Sequence, residues 1–358
     1  LTNIVKKIKL NIDKRKQTQR VLLFFAAILL LVKLVRNQNP DLLMNEVSGL
    51  TMGTIAYNVK YKTLGATNYK TQIDSLLKKF NQSLSTYIPE SEISRLNQSG
   101  SLVFLDPVFY PVLLASKEVH LATKGAFDPT IGPLINAYGF GPDKASKTLD
   151  QHLIDSLLQF VGFSKINFNP SLITLPKGTY LDLSAVAKGY AVDVIANYLK
   201  SKNIEHAMVE IGGEVRTFGT NDRGEAWRIG IQDPLIDPEE YQPPFAVVNL
   251  EDRSIATSGN YRNFYQIGDK TYAHIIDPRT GKMSKKNILS ASVFAPNCML
   301  ADAYATAFMV LGVEASMAIL QADDRLEALL IYQGQEGPEH IITDGMKAAI
   351  IINYSENP

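Results

Sequence analysis

The chain has 358 residues, of which 46% are hydrophobic and 20% are charged, so it is long enough to bury a sizeable core in one large domain or two intermediate ones. Its 36 basic residues balance its 36 acidic residues, and a net charge of zero gives no reason to expect a nucleic-acid partner. The single cysteine, Cys298, excludes an intramolecular disulfide and a cysteine-based metal site, and none of the five histidines is spaced from another as helical zinc ligands are.

The N-terminal segment differs in composition from the rest of the chain. Residues 1–20 contain seven basic side chains and one acidic side chain, and residues 21–32 are all apolar. A basic run before a short apolar run is typical of a secretory signal or signal-anchor. Twelve apolar residues span roughly 20 Å as a helix, which is short for a hydrocarbon core of about 30 Å. No small-x-small cleavage site follows the run, which favours an uncleaved anchor over a cleaved signal.

This pattern predicts four parts of the chain. They are a basic cytoplasmic segment over residues 1–20, a signal-anchor or transmembrane segment over residues 21–36, a linker over residues 37–50 and one folded domain over residues 51–358. The basic excess before the anchor predicts that the N-terminus is cytoplasmic and that the folded domain lies on the extracytoplasmic side of the membrane. A buried amphipathic helix is the alternative for the apolar run, and it is disfavoured because the run has no polar face.

The folded domain contains both helical and strand patterns. Helical periodicity predicts helices over residues 71–80, 108–123, 153–161, 186–200, 301–311 and 315–321. Alternating or short apolar runs predict strands over residues 54–61, 179–183, 207–211, 227–232, 245–250, 253–257, 263–267, 270–276, 289–294, 326–332 and 348–353. Because strands and helices are interspersed without strict alternation, we expect an α+β fold with mixed or antiparallel sheets packed with helices.

One carboxylate and one hydroxyl stand out in the helix predicted over residues 301–311. Asp302 and Thr306 are four residues apart in an otherwise apolar helix, so both project from one face. A buried, unpaired carboxylate needs a cation or strong donors. A hard cation such as Mg²⁺ suits one carboxylate, one hydroxyl, main-chain carbonyls and phosphate oxygens. The alternative is structural: Asp302 caps the helix, and Thr306 bonds to a main-chain carbonyl.

A second cluster, residues 181–190, lies where a predicted strand ends and a helix begins. Free N–H groups and the positive end of the helix dipole can receive an anion there. Lys188 lies early in this helix, where its charge opposes the dipole unless an anion is close. The segment lacks the glycine and lysine spacing of a nucleoside-triphosphate loop. The alternative is an ordinary helix start with Ser184 as its cap.

Three further segments hold residues that carry little weight alone. A loop over residues 125–130 can present Asp128 to a ligand. His274, before a turn, is a candidate base or phosphate contact, although such a histidine is more often structural. Tyr87 could stack on a planar ring, and a core position is the alternative for it.

The order of these segments is more specific than any one of them. The chain resembles the ApbE family of Mg²⁺-dependent FAD:protein FMN transferases over residues 52–54, 84–97, 125–134, 181–193, 210–213, 257–265, 274–281 and 301–312. The resemblance implies Mg²⁺ ligands from two side chains and two main-chain carbonyls, namely Asp302, Thr306, Ala185 and Ala305. It implies contacts to FAD from Met52, Tyr87, Ala126, Phe127, Asp128, Asp182, Lys188 and Ile276. It also makes His274 the candidate catalytic residue.

The resemblance also implies a reaction and its partners. FAD is the substrate, FMN is attached through a phosphoester to a Thr or Ser of a partner protein, and AMP is released; the expected acceptor is a subunit of a membrane redox complex. Two alternatives remain open: an Mg²⁺-dependent FAD pyrophosphatase that yields FMN and AMP, and a non-catalytic flavin-binding or delivery protein. Family members are often lipoproteins, but no cysteine follows the apolar run, so the hydrophobic segment itself is expected to tether the domain.

Overall fold

The structure is a computed structural model, and it describes residues 42–142, 149–236, 243–259, 264–267, 270–273, 275–284 and 286–353. The predicted basic segment and anchor lie outside these residues. Within the described part of the chain, no helix combines the length and the apolar character needed to cross a membrane. Residues 44–62 and 68–353 belong to one large compact unit, and the ends of the first two strands, residues 42–43 and 63–67, belong to a second, small unit.

The described residues form eighteen strands. In chain order they are β1 (Leu42–Thr51), β2 (Ile55–Leu64), β3 (Ser101–Val103), β4 (Asn167–Phe168), β5 (Leu172–Thr174), β6 (Ala207–Ile211), β7 (Glu214–Phe218), β8 (Trp227–Ile231), β9 (Ala246–Leu250), β10 (Ser254–Gly259), β11 (Phe264–Ile267), β12 (Lys270–Ala273), β13 (Ile276–Asp277), β14 (Lys282–Met283), β15 (Ile288–Ala295), β16 (Glu327–Gln333), β17 (Pro338–Ile342) and β18 (Ile350–Asn353).

The strands build one large sheet and four small ones. The large sheet has the order β1-β2-β6-β7-β10-β15-β16-β17, a second sheet has the order β18-β9-β8, and a third has the order β3-β5-β4; β11 with β12, and β13 with β14, form two hairpins. The strand pairs with a described register are antiparallel. The α+β prediction with antiparallel sheets and packed helices is therefore confirmed.

Nine helices are described. They are α1 (Lys70–Leu84), α2 (Glu92–Ser99), α3 (Phe109–Ala122), α4 (Gly132–Ala137), α5 (Gln151–Leu158), α6 (Ser184–Ser201), α7 (Cys298–Leu311), α8 (Val313–Ala322) and α9 (Asp344–Ala349). The alanine-rich α6 and α7 carry the site residues; α7 is almost wholly buried, and α6 has an exposed side. Asn297 caps α7, because its side chain accepts from the N–H of Leu300, and Gly312 ends the helix with a φ of 81°.

Successive side chains along the strands of the large sheet point to opposite faces, and each face packs against a separate hydrophobic core. On β10, Ile255 packs into one core while its neighbour Ala256 packs into the other. The larger core lies between the large sheet and helices that include α6 and α7. The smaller core joins residues of β7, β10, β15 and β16 to residues of the three-stranded sheet β18-β9-β8. The large sheet is therefore covered on both faces, and the helical face carries the candidate site.

Three sequence predictions differ from the structure. Residues 42–50, assigned to a linker, belong to strand β1. The strand predicted over residues 179–183 is reduced to one bridge between Tyr180 and Ile131. It forms no ladder because the Asn97 side chain takes both main-chain groups of Leu181, accepting from its N–H at 2.7 Å and donating to its carbonyl at 2.9 Å. Finally, the strand predicted over residues 348–353 begins only at Ile350, since α9 occupies the preceding residues.

Candidate active site

Two cavities border the first turn of α6 and share Ser184 as a lining residue. The larger measures about 680 Å³ and is lined by residues 52–55, by residues 80–88 and by the start of α6. The smaller measures about 150 Å³ and is lined by residues 126–135 and 275–278, together with residues of α6 and α7. A helix start placed between two cavities can contact the charged centre of a ligand that extends into both.

The start of α6 is shaped by Asp182. The helix begins at Ser184, whose N–H donates to Asp182 Oδ1 at 2.8 Å. The N–H of Asp182 itself donates to the carbonyl of Pro129 at 2.7 Å. The alternative in which Ser184 caps the helix is therefore wrong, because Asp182 supplies the acceptor. Asp182 also lines the smaller cavity, as the sequence prediction requires of a ligand contact.

The carboxylate of Asp302 is buried between α6 and α7. It is 3% exposed, and its Oδ2 accepts from the N–H of Gly189 at 2.9 Å. Burial raises its pKa to about 7; the Lys188 ammonium opposes this rise, the Glu214 carboxylate adds to it and the Gly189 N–H opposes it. Since α7 begins four residues earlier, Asp302 does not cap the helix, and the structural alternative for it is wrong.

A partly buried ion pair lies beside this carboxylate. Lys188 on α6 pairs with Glu214 on β7, whose side chain is 1% exposed. Lys188 also lines the larger cavity, so its ammonium lies between a buried acidic environment and the ligand space. A cation in this position can receive a phosphate oxygen without leaving its carboxylate partner.

The remaining predicted metal ligands lie near Asp302 on the two helices. Thr306 and Ala185 both line the smaller cavity, and Thr306 Oγ1 lies 3.2 Å from Ser258 Oγ. Ala305 is fully buried, and neither it nor Asp302 lines the two cavities. Within the described ranges, no three His, Cys, Asp or Glu side chains gather as a metal site would require. The donors at hand are one carboxylate, hydroxyls and main-chain carbonyls, which is a set that suits a hard cation.

The predicted loop contacts form one wall of the smaller cavity. Ala126, Phe127, Asp128 and Ile276 line it and are all buried. Asp128 is held by three donors: Oδ1 accepts from the N–H of Thr130 at 2.8 Å and from its hydroxyl at 2.5 Å, and Oδ2 accepts from the N–H of Phe163 at 3.0 Å. Asp128 therefore stabilises the loop through these three hydrogen bonds and also lines the cavity.

Met52 and Tyr87 lie in the lining of the larger cavity. Met52 adopts a φ of 47°, which is uncommon for a residue with a Cβ and often marks a ligand site. Tyr87 is 62% exposed, so the alternative of a core position is wrong for it. Its hydroxyl donates to the carbonyl of Phe140 at 3.1 Å.

Most of the predicted site residues thus come together around α6. His274 lies outside the described residues, and its role stays a prediction. Sequence reasoning did not single out Gly189, Glu214 or Ser258 for the site. The spacing of Gly189 from Ala185, four residues along one helix face, could have indicated the glycine. The acidic residue that opens strand β7, directly after Gly212 and Gly213, was the available signal for Glu214.

The fold and the site define an α+β protein with a divided cleft at the start of α6, beside a buried carboxylate. The profile of the ApbE family matches residues 52–330, and the chain belongs to this family. An FAD:protein FMN transferase of Vibrio cholerae is 37% identical over 311 residues, which cover 84% of this chain and 91% of the relative. A relative of the same name from Haemophilus influenzae is 37% identical over 299 residues, covering 80% and 86%.

Solved structures agree with this assignment. The flavin transferase ApbE from Vibrio cholerae superposes with a TM-score of 0.74 at 35% identity, covering 86% of this chain and 100% of that chain. The apo form of the Pseudomonas stutzeri flavinyl transferase ApbE gives a TM-score of 0.76 at 27% identity, covering 86% and 97%. The resemblance seen in the sequence is therefore confirmed by the family profile and by the fold.

Proposed function

We propose that this protein is an FAD:protein FMN transferase, which moves FMN from FAD to a Thr or Ser hydroxyl of an acceptor protein and releases AMP. The observation that carries the proposal is the buried Asp302 carboxylate beside the start of α6, where two cavities meet at Ser184. Relatives at 37% identity that bear this name support it.

The cavities suit the parts of FAD. The volume of about 680 Å³ lies in the range of ordinary small-molecule pockets, and it offers the ring of Tyr87 to a planar group. The positive end of α6 and the Lys188 ammonium lie at its border, where they favour the pyrophosphate. FAD is therefore proposed to place its pyrophosphate at the first turn of α6. Asp128, Asp182 and their neighbours would contact the part of FAD that lies in the smaller cavity.

The donor set also fits Mg²⁺, which we propose as the cofactor. Asp302 and Thr306 would bind it by side chain, and Ala185 and Ala305 by main-chain oxygen. The buried, acidic environment of Asp302 supports this, because a carboxylate with a pKa raised to about 7 gains most from a cation close to it. When bound, Mg²⁺ neutralises the charge that develops on the pyrophosphate oxygens.

The protein's own groups have defined tasks in the transfer. The acceptor hydroxyl oxygen forms a bond to the phosphorus of the FMN part, and the bond from that phosphorus to the bridging oxygen breaks, so that AMP leaves with this oxygen. Lys188 and the start of α6 stabilise the negative charge on the departing group. His274 is proposed to take the hydroxyl proton, a role that is typically worth about 10²–10⁴-fold in rate.

The proposed location rests on the N-terminal pattern, and the proposed partner rests on the resemblance to the ApbE family. We propose that residues 21–36 anchor the protein in the inner membrane and that the catalytic domain faces the periplasm, where it modifies a subunit of a membrane redox complex. The basic residues before the apolar run support this orientation.

The test mixes the full-length protein in detergent with FAD, Mg²⁺ and candidate redox subunits. Covalent flavin fluorescence on an acceptor band in a denaturing gel, with one AMP released per label, is the expected result. AMP and FMN without labelled protein would replace the proposal with a pyrophosphatase. Tight FAD binding with neither product would replace it with a flavin-binding protein.

A further inference from the structure

Helices α6 and α7 face each other through three pairs of residues that are spaced by four along each helix. Asp193 meets Cys298, Gly189 meets Asp302, and Ala185 lies with Thr306 in the lining of the smaller cavity. Positions four apart share one helix face. The helices therefore run antiparallel with one register along the whole contact, and the last pair belongs to the proposed metal site.

The first pair is held by hydrogen bonds from the start of α7 to one side chain of α6. Asp193 Oδ1 accepts from the N–H of Cys298 at 3.0 Å, and Oδ2 accepts from the N–H of Met299 at 2.8 Å. These are N–H groups of the first turn of α7, which have no acceptor within their own helix. The Asp193 side chain of α6 thus binds two adjacent N–H groups of α7. These two bonds fix the position of α7 along α6 and its rotation about its own axis.

Arg216 on β7 completes this attachment. Its Nη1 donates to Asp193 Oδ1 at 2.6 Å, and the Asp193 side chain is 5% exposed. Burial raises the pKa of Asp193, while Arg216 and the two N–H groups counteract that rise. The guanidinium therefore neutralises the buried carboxylate, whereas the bonds to Cys298 and Met299 are what join the helices.

The second pair, Gly189 and Asp302, lies where the helices leave no room for a side chain on α6. A Cβ on Gly189 would lie 2.1 Å from the carbonyl oxygen of Cys298 and 2.8 Å from Cβ of Asp302. The helices are in close contact here, and a shift of α7 along α6 would break the bond from Gly189 to Asp302. Because this contact is close, the position that Asp193 gives to the start of α7 also sets the position of Thr306 relative to Ala185. That pair lies eight residues, or about 12 Å, further along the helix.

We propose that Asp193 is a positioning residue of the metal site: by holding the N-terminus of α7 it sets the register that places Asp302 and Thr306 opposite Ala185. This inference rests on the proposed Mg²⁺ site. Asp193 lines neither of the two cavities, so it acts through α7 and not by contact with a ligand.

Two matched variants separate positioning from stability. Asp193→Asn removes one acceptor oxygen and places an amide donor against an N–H or the guanidinium, so α7 loses an attachment. Arg216→Gln removes the same ion pair but leaves both acceptors for Cys298 and Met299. Mn²⁺ affinity of the full-length protein, measured by electron paramagnetic resonance without FAD, reports the site directly, and urea unfolding reports the stability of each variant.

We expect Asp193→Asn to weaken Mn²⁺ binding by about 10–100-fold, the usual effect of a residue that orients metal ligands. Arg216→Gln should cost stability with a clearly smaller change in Mn²⁺ affinity. Equal losses of affinity in both variants, or wild-type affinity in Asp193→Asn, would overturn the inference. If Asp193→Asn does not fold, the double variant D193N/R216Q replaces it, and comparison with Arg216→Gln alone decides the same question.

The wild-type protein separates this inference from the proposed function. If wild type binds no Mn²⁺, the metal site itself fails and the positioning role fails with it. If wild type binds Mn²⁺ and only the variants behave alike, the metal site stands and the role of Asp193 is overturned.

Discussion

The N–H of Gly189 donates a hydrogen bond of 2.9 Å to the carboxylate of Asp302, although the two residues are 113 positions apart in the chain. The bond crosses the contact between α6 and α7 where a Cβ on Gly189 would have no room. It joins a main-chain group of one helix to the proposed metal ligand of the other. The packing of these helices and the chemistry of the site therefore depend on the same residues.

Replacing Gly189 with alanine tests how tight this contact is. In a free helix the change would stabilise, because alanine is the better helix former. Here the added Cβ would meet the carbonyl of Cys298 at 2.1 Å, so we expect a net loss of roughly 1–3 kcal/mol or more in the free energy of unfolding. Urea unfolding measures it. Asn197→Ala on the exposed side of α6 is the control and should stay within about 0.5 kcal/mol of wild type. A stabilised Gly189→Ala protein would contradict the contact.

Removing the carboxylate of Asp302 tests the metal site. We expect Asp302→Ala to lower Mg²⁺-dependent FMN transfer on the order of 10²–10³-fold, because a buried charge that balances the cation is lost. The measurement is the initial rate of acceptor labelling as a function of Mg²⁺ concentration. Asp155→Ala, on the exposed surface of α5, should leave the rate and its metal dependence unchanged. Unaltered turnover in Asp302→Ala would remove this residue from the metal site.

The thiol of Cys298 provides a test of burial through pH. Burial raises its pKa well above the usual value of 9.0, so the folded protein keeps the thiol protonated at pH 9, whereas the unfolded chain ionises there. Stability from this group is thus present below pH 9 and is lost as the pH rises further.

A thiol reagent makes the difference visible. At pH 8.5 we expect labelling of folded Cys298 to be at least about a thousandfold slower than in urea, since reaction needs unfolding. A cysteine introduced by Ser201→Cys at the exposed end of α6 should react at the ordinary rate. Rapid labelling of Cys298 in the folded protein would show that its surroundings are more open than the structure indicates.

Asn97 is expected to matter for the start of α6. Its amide makes two hydrogen bonds to the main chain of buried Leu181, next to Asp182. Asn97→Ala leaves both main-chain groups without these partners, so we expect a loss of about 1–3 kcal/mol for each unsatisfied group and a raised KM for FAD. Asn287→Ala is the control, since it removes one exposed bond to the carbonyl of Gln333. An unchanged KM together with unchanged stability would contradict this role.

The sequence predicted six of the nine described helices and five of the eight strands of the large sheet, because periodicity is a property of neighbouring residues; it missed α2, α4 and α9. It failed where main-chain groups find partners far along the chain. Residues 179–183 have a strand-like pattern, but Asn97 occupies the groups of Leu181 that a neighbouring strand would use. Strand β1 was missed because the segment before residue 51 was read from its breaker residues as a linker, and its place beside β2 depends on pairing rather than on its own composition.

For the site, the sequence by itself determined that Asp302 and Thr306 share one helix face and that a helix begins near residue 184. It did not determine what Asp302 would meet. The structural alternative, a helix cap, was excluded only when α7 proved to begin at Cys298. The pairing of Asp302 with Gly189, and of Asp193 with the start of α7, was decided by tertiary structure. The physical reason is that helical spacing follows from local geometry, whereas the register between two helices depends on close packing between residues more than 100 positions apart.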